Sequence, residues 1–409
     1  MRRVFALLSL LLTGFGITAV EAAEPRIQLA SLETVRLTPS PDALIAKTLQ
    51  DIRSNRLNEA LHEVDRVISM RPDFKLAHLI RGDLLMARAK PLSNLGAVAK
   101  ASPQSLTDLR DEARVRLMRY IDQPGPDMLP RQILQMARNQ PYALLADASR
   151  ARLYLFENVD GEPLLKRDYY MTIGKNGTDK RNEGDKRTPM GVYQVSDQLP
   201  KKQLTDFYGA GAFPLNYPNE WDRAQGRSGH GIWLHGVPSD TYSRPPRSSD
   251  GCVVVSNPDL QELSQWVQPG ATPLILAARA DWVDRAAWQE AREALLKRLE
   301  AWKGDWEARD AERFLAHYHT DFFANAGRGW ADSKRRNIQD KDWIKVELKD
   351  VSLYLYPGDD MAYTEFTQHY SSDKHNGVTS KRLYWQMQNG QWRVALEKSI
   401  DRPTNYAQR

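Results

Sequence analysis

Gly231-Ile232-Trp233-Leu234-His235-Gly236 ends a short apolar run on a His-Gly pair. Seventeen residues after that histidine comes Cys252, within Ser249-Asp250-Gly251-Cys252-Val253-Val254-Val255-Ser256-Asn257. A thiol attacks well only as the thiolate, and a neighbouring imidazole can take its proton and later return it to a leaving amine. That chemistry needs a His and a Cys on adjacent strand ends, joined by a loop long enough to wall a pocket. His235 and Cys252 have this form. Gly251 lets the backbone come close to a bound acyl group, and the N–H groups of Gly251 and Cys252 are candidates for an oxyanion hole. Pro258, after Asn257, opens a helix carrying Leu260, Leu263, Trp266 and Val267.

Cys252 is the one cysteine in 409 residues. Arg2 and Arg3 precede an apolar run from Val4 to Val20, followed by Ala22 and Ala23. This is the pattern of a secretory leader over residues 1–23, with an uncleaved anchor as the alternative, and it implies export to the periplasm. In an oxidising compartment cysteines usually pair. A lone one is a buried small hydrophobe or a reactive group, and its place after His235 favours the second. The net charge of +5 is too mild, and too evenly spread, to suggest a nucleic-acid partner. Eleven Trp, sixteen Tyr and ten Phe exclude wholesale disorder.

Outward from the His-Cys stretch, the chain reads as multidomain α+β. Residues 24–40 are a polar tether. Region 41–140 is helical: Leu44, Ile45, Leu49 and Ile52, then Leu57, Leu61, Val64 and Ile68, recur at three- and four-residue spacing. Asn55–Ala60, Pro72 and Ala77–Gly82 together look like one tetratricopeptide unit. A single repeat cannot bury its own face, so it packs on a neighbour or forms a homodimer contact; an ordinary helical hairpin is the alternative. Further helices are expected over Asp108–Ile121 and Arg131–Asn139. From 141 to 279, short β-prone runs and frequent Gly and Pro indicate a β-rich sandwich. From 281 to 409, a stripe from Trp282 to Trp302, a helix capped by Asp310 and four strand-like runs predict an α+β cone. Asn389-Gly390 is its hairpin turn.

The His235-Gly236 and Ser249-Asp250-Gly251-Cys252 pair resembles the catalytic motif of the L,D-transpeptidase family (YkuD, also called ErfK/YbiS). Gly184-Asp185-Lys186-Arg187-Thr188-Pro189-Met190-Gly191-Val192-Tyr193 resembles its GD-x-x-TP-x-G-x-Y segment. Phe213-Pro214-Leu215-Asn216-Tyr217-Pro218 and Val267–Pro273 resemble two further segments. The resemblance implies Cys252 as nucleophile, His235 as general base and acid, the Gly236 carbonyl as orienter of His235, and the Gly251 N–H as an oxyanion donor. It departs from the family at Asp250, where a second His is usual, and at Val254, where an Arg is common. The Asp-Gly-Cys variant is associated with hydrolytic relatives. Trp302–Trp306, Ala308-Arg309-Asp310 and Phe314–Phe322 resemble a SnoaL-type, nuclear-transport-factor-like cone, whose ligand is unknown. The whole layout resembles cell-shape L,D-carboxypeptidases of curved and helical bacteria.

The resemblance implies peptidoglycan stem tetrapeptides as substrate, cut between diaminopimelate (or lysine) and D-alanine through a Cys252 thioester. Water as acceptor gives a carboxypeptidase. An amine acceptor gives a 3–3 cross-link, and protein attachment or release is a third outcome. A non-catalytic envelope-binding module is the competing class. Ser249 and Asp250 position substrate or cap their loop. His230 lines the pocket or belongs to the surface. Arg244 and Arg247 hold a peptide carboxylate or are solvated loop charges. No cofactor is expected, and with one Cys and no His-x3-His pair no metal is expected either.

Overall fold

The computed structural model describes residues 40–92, 94–97, 101–327, 329–358 and 360–400. The expected leader, and all but the last residue of the tether, lie outside them. The chain divides into two compact units. One contains the N-terminal helices together with Val237–Arg247, and the other contains Pro124–Gly236 and Ser248 onward.

In the first unit, Ser40 caps α1 (Pro41–Arg53) by accepting from the Ala43 N–H, and Pro41 fits the first turn, where its missing N–H costs nothing. α2 (Leu57–Met70), α3 (Lys75–Ala87) and α4 (Pro103–Ile121) follow, and α4 again starts Ser-Pro. Leu44, Ile45, Leu49, Ala60, Val64, Phe74, Leu76, Ile80 and Ala113 share one core.

In the second unit come β1 (Leu129–Pro130), β2 (Ile133–Gln135), β3 (Tyr142–Asp147), β4 (Arg152–Val159), β5 (Glu162–Tyr170), β6 (Ile173–Gly174), β7 (Gly191–Gln194), β8 (Leu199–Pro200) and β9 (Gly211–Pro214). They are followed by α5 (Glu220–Ala224), β10 (Trp233–His235), β11 (Arg247–Ser249), β12 (Val253–Val254), α6 (Asn257–Leu263), β13 (Pro273–Ala277) and β14 (Trp282–Val283). A five-stranded sheet runs β5-β4-β3-β13-β7 and a four-stranded one runs β12-β10-β9-β8. Leu144, Leu153, Leu155 and Leu274 from the first sheet share a core with Phe213, Leu234 and Val253 from the second, as a sandwich requires.

The C-terminal domain begins with α7 (Arg285–Glu307), capped by Asp284, and α8 (Ala311–Leu315), capped by Asp310. Next are α9 (Thr320–Ala326), α10 (Trp330–Gln339) and four long strands, β15 (Ile344–Leu355), β16 (Met361–Ser372), β17 (Asn376–Gln388) and β18 (Gln391–Ile400). Asn389 and Gly390 both have positive φ, as the tight turn between β17 and β18 demands. Trp288, Leu295, Leu299, Trp302 and Trp306 of α7 pack on this sheet. No helix among the described residues is long and apolar enough to cross a membrane.

One expectation fails. Arg131–Asn139 is not a helix: β2 adds a fifth strand to the C-terminal sheet beside β15, in the order β18-β17-β16-β15-β2. Ile133 and Leu134 are both fully buried but in different cores. Adjacent residues can bury in opposite directions only from an extended strand.

Ile133's core binds the sandwich to the C-terminal domain, joining Leu145, Tyr154, Val192, Trp221 and Ile275 to Tyr354, Tyr356, Tyr363 and Tyr384. A Cβ on Gly191 would lie 2.5 Å from Tyr356 Oη. This glycine, in the motif, therefore makes room for a side chain of the other domain. Arg382 donates to Glu220 at 2.7 Å and to Glu365 at 2.9 Å, and the Tyr384 hydroxyl donates to Glu220 at 2.9 Å. Arg382→Ala would leave the buried Glu365 carboxylate and the partly buried Glu220 carboxylate without their cation, for a loss of about 3 kcal/mol. Urea unfolding followed by tryptophan fluorescence should show that loss, with Arg382→Lys intermediate. A loss below about 1 kcal/mol would mean that the apolar seam alone holds the domains together.

Candidate active site

β10 runs parallel to β12, with Leu234 beside Val253 and His235 beside Val254. The Val255 N–H donates to the His235 carbonyl at 3.0 Å. Side chains alternate across a strand, and Leu234, Val253 and Val255 enter the sandwich core. The same alternation turns His235 and Cys252 to the other face. Two residues far apart in sequence are thus brought together by backbone pairing.

His235 is buried, and its Nδ1 lies 2.6 Å from the Gly236 carbonyl oxygen. A carbonyl can only accept, so Nδ1 carries a proton. Gly236 is tightly enclosed: a Cβ there would fall on Asn257 Oδ1 and lie 3.0 Å from the Ala210 nitrogen. Asn257 Oδ1 also accepts from the Ala210 N–H at 2.8 Å, and the Gly236 N–H donates to the Tyr208 carbonyl at 3.2 Å. The Tyr208 ring stands edge-on to the imidazole at 5.1 Å, with Phe207 at 5.8 Å. Burial, and then the charge of Cys252, raise the Tyr208 phenol above its ordinary value.

Cys252 is half-buried, and its Sγ donates to the Gly231 carbonyl at 3.4 Å. Ser249, buried, braces the turn: its Oγ donates to the Cys252 carbonyl at 2.7 Å and accepts from the Gly251 N–H at 3.1 Å. Gly251 has φ of 129°, and a Cβ there would lie 2.7 Å from the Arg187 carbonyl oxygen, so no other residue fits without a shift. Asp250 points to solvent and pairs with Lys175 at 3.1 Å. His230 is also exposed, 3.3 Å from Glu183. Arg244 and Arg247 lie in the 237–247 segment that packs with the helices. Among the described residues no cluster of His, Cys, Asp and Glu could hold a metal ion.

Sequence reasoning missed Tyr208, Asn257 and Thr188. Thr188 Oγ1 accepts from the Gly174 N–H and donates to the Gly251 carbonyl, each at 2.9 Å. The motif around Thr188 was visible, and a hydroxyl inside it was the available signal. Asp185 organises the same segment. Its carboxylate accepts from Lys180 Nζ and from the N–H groups of Arg181, Asn182 and Arg187. Burial alone would raise its pKa, but the Lys180 ammonium and these amides hold it down at about 2, below the ordinary 3.8. A depressed carboxylate stabilises the fold above its unfolded value and loses that contribution as pH falls towards 2. Asp185→Asn should therefore cost about 2 kcal/mol at neutral pH, with the gap to wild type closing between pH 3.8 and about 2. Chemical denaturation across that range checks it, and a gap independent of pH would refute the charge as the cause.

A model of the L,D-transpeptidase catalytic domain (YkuD) matches residues 141–276. A model of the Cds6 C-terminal NTF2-like domain matches residues 294–398. The chain is similar to the solved structure of Bd1075 from Bdellovibrio bacteriovorus, at 28% identity, covering 68% of this chain and 100% of that one, with a TM-score of 0.61. It shares its fold with the helical cell shape determining protein Pgp2 from Campylobacter jejuni, at 24% identity, 65% and 95% coverage and a TM-score of 0.56. No curated protein matches the chain. The His-Cys strand pair and its glycine-lined turns therefore belong to an L,D-transpeptidase catalytic domain, followed in this chain by an NTF2-like domain.

Proposed function

We propose that this protein is an exported peptidoglycan-modifying cysteine enzyme that trims stem tetrapeptides as an L,D-carboxypeptidase. The observation that carries the reading is the locked imidazole: Nδ1 is held by the Gly236 carbonyl at 2.6 Å, which fixes the ring on the face of the sheet that also bears Cys252. Nε2 takes the thiol proton, and the thiolate attacks the carbonyl carbon of the residue before the terminal D-alanine. The resulting oxyanion is stabilised by the Cys252 backbone N–H; the Gly251 N–H, expected from the sequence to share that role, is given instead to Ser249 Oγ at 3.1 Å. When the C–N bond breaks, the imidazolium gives its proton to the departing amine of D-alanine and a thioester remains. Water, deprotonated by the same Nε2, then attacks the thioester, releasing the tripeptide and restoring the thiol. No proton, electron or leaving group is left over.

Two features favour water over an amine as acceptor. Asp250 occupies the position where cross-linking relatives carry a second histidine, and it faces solvent in a pair with Lys175. An appended NTF2-like domain is also the layout of the cell-shape carboxypeptidases that the chain resembles. Peptidoglycan lies outside the cytoplasmic membrane, which agrees with the leader read over residues 1–23.

The test is mass spectrometry of purified tetrapeptide muropeptides incubated with the protein, with Cys252→Ala and with His235→Gln. Tripeptide should accumulate with the wild type and fall at least roughly a thousandfold in each variant, as expected when a nucleophile or its base is removed. Dimeric 3–3 products would make an amine the acceptor. An unchanged digest from wild type and variants alike would sink the enzymatic reading.

A further inference from the structure

Four separate stretches of the second unit meet around a cleft of about 540 Å³. Each brings one charged side chain: Arg138 follows β2, Asp160 sits in the turn between β4 and β5, Arg292 is on α7 and Asp350 interrupts β15. None of the lining residues is among those placed around His235 and Cys252. The cleft is built into the backbone. β15 shifts register between Lys349 and Ser352, and Asp350 lies in that irregularity with φ of 50°, the kind of local break that re-aims a side chain. Asp160 has φ of 53° in its tight turn. Asn158 pins this turn to the segment after β2, its Nδ2 donating to the Ala137 and Gln140 carbonyls at 2.8 and 2.9 Å. Gln135 Nε2 donates to the Val351 carbonyl at 2.9 Å, and Gln135 Oε1 accepts from Arg292 Nη2 at 2.7 Å. Neutral amides thus brace the walls, and the carboxylates take no part.

Opposite charges that share a cleft ordinarily pair. Among the described residues no ion pair joins either arginine to either aspartate, and the side chains of Arg138, Asp160 and Asp350 make no hydrogen bond. Arg138 and Asp160 are exposed, as solvated charges are. Arg292 and Asp350 are half-buried, where a charge without a counter-ion carries a desolvation cost that nothing in the chain offsets. Arg292 spends one of its five N–H donors on Gln135, and its Nε is buried without a partner. We propose that this cleft is a binding site for an α-amino-acid head group, an ammonium and a carboxylate on one carbon. Arg138 and Arg292 take the carboxylate, and Asp160 and Asp350 take the ammonium. A ligand of one sign would be attracted by one pair and repelled by the other, whereas a zwitterion satisfies both. The volume falls within the roughly 300–1,000 Å³ of small-ligand sites. Resting on the peptidoglycan reading, two sources of that head group are at hand: free D-alanine leaving the reaction, and the free end of a diaminopimelate residue still attached to its stem peptide.

Isothermal titration calorimetry on the whole protein tests the site, in a Cys252→Ala background so that turnover contributes no heat. The probes meso-diaminopimelate and D-alanine carry the full head group, N-acetyl-D-alanine lacks the ammonium, and D-alaninamide lacks the carboxylate. Both zwitterions should bind, and each single-charge derivative should bind at least about tenfold more weakly than D-alanine. Asp350→Asn, which tolerates the same backbone conformation, and Arg138→Gln should each weaken zwitterion binding at least about fivefold. Thermal unfolding should be unchanged in both, since neither side chain has a partner to lose. Equal affinity for the two zwitterions would make the free amino acid the ligand, and a tenfold or greater preference for diaminopimelate would make it the stem peptide. No heat from either zwitterion would overturn the inference. So would undiminished binding of the single-charge derivatives, or affinities that ignore both cleft variants, which would put the binding elsewhere. A wild type that leaves tetrapeptides uncut sinks the hydrolase reading instead, and leaves these affinities as the test of the cleft.

Discussion

The parallel pairing of β10 with β12 is the constraint on which the site depends. Two short strands, three and two residues long, do little for stability. Their register nonetheless decides which way His235 and Cys252 face, because a slip by one residue would turn either side chain into the core. The register is held from both sides. Leu234, Val253 and Val255 are anchored in the sandwich core, and Val254 bridges Thr172 on its free edge. Around this pair the structure spends its glycines: Gly236 and Gly251 sit where a side chain would strike Asn257 or the Arg187 carbonyl. The turns after His235 and before Cys252 are thereby packed against segments elsewhere in the chain, at Asn257 and Arg187.

What was legible in the sequence follows from how local each cause is. His235, Cys252 and their glycines could be read because their chemistry demands residue types found nowhere else in the chain at that spacing. The Asp310 cap and the Asn389-Gly390 turn could be read because caps and tight turns are decided within three or four residues. The strand at Ile133–Gln135 could not. Ile133 and Leu134 look as suitable for a helix as for a strand, and the choice is made by a β15 partner more than two hundred positions later. Thr188, Asn257 and Tyr208 were missed for the same reason. Thr188 reaches Gly251 across 63 positions and Asn257 reaches Ala210 across 47, and no periodicity announces such a bond.

The seam within the second unit shows why a motif residue can be wrongly credited to catalysis. Gly191 closes a segment that resembles a catalytic-domain signature, yet the atoms that exclude a side chain there belong to Tyr356 of the NTF2-like domain and to Tyr193. Asn219 donates both to the Val192 carbonyl and to the Tyr356 hydroxyl, at 3.1 and 3.0 Å. Burial pushes Tyr356 well above the ordinary tyrosine range, so its hydroxyl stays protonated. With an aromatic core and a partly buried Arg382-Glu220 pair across the same seam, the NTF2-like domain is part of the scaffold under the sandwich. It is not a tethered passenger.

The first unit poses the complementary problem for folding. Its core contains Tyr242, and its buried Glu112 takes a hydrogen bond from Ser243, 131 positions away. The helices can form early from local contacts. They cannot complete that core until the 237–247 segment has been made, and that segment arrives flanked by strands of the sandwich. Closing so long a loop is entropically slow, and an unfilled aromatic slot exposes apolar surface in the meantime. The helices take one of their core residues, Tyr242, from the segment between His235 and Cys252.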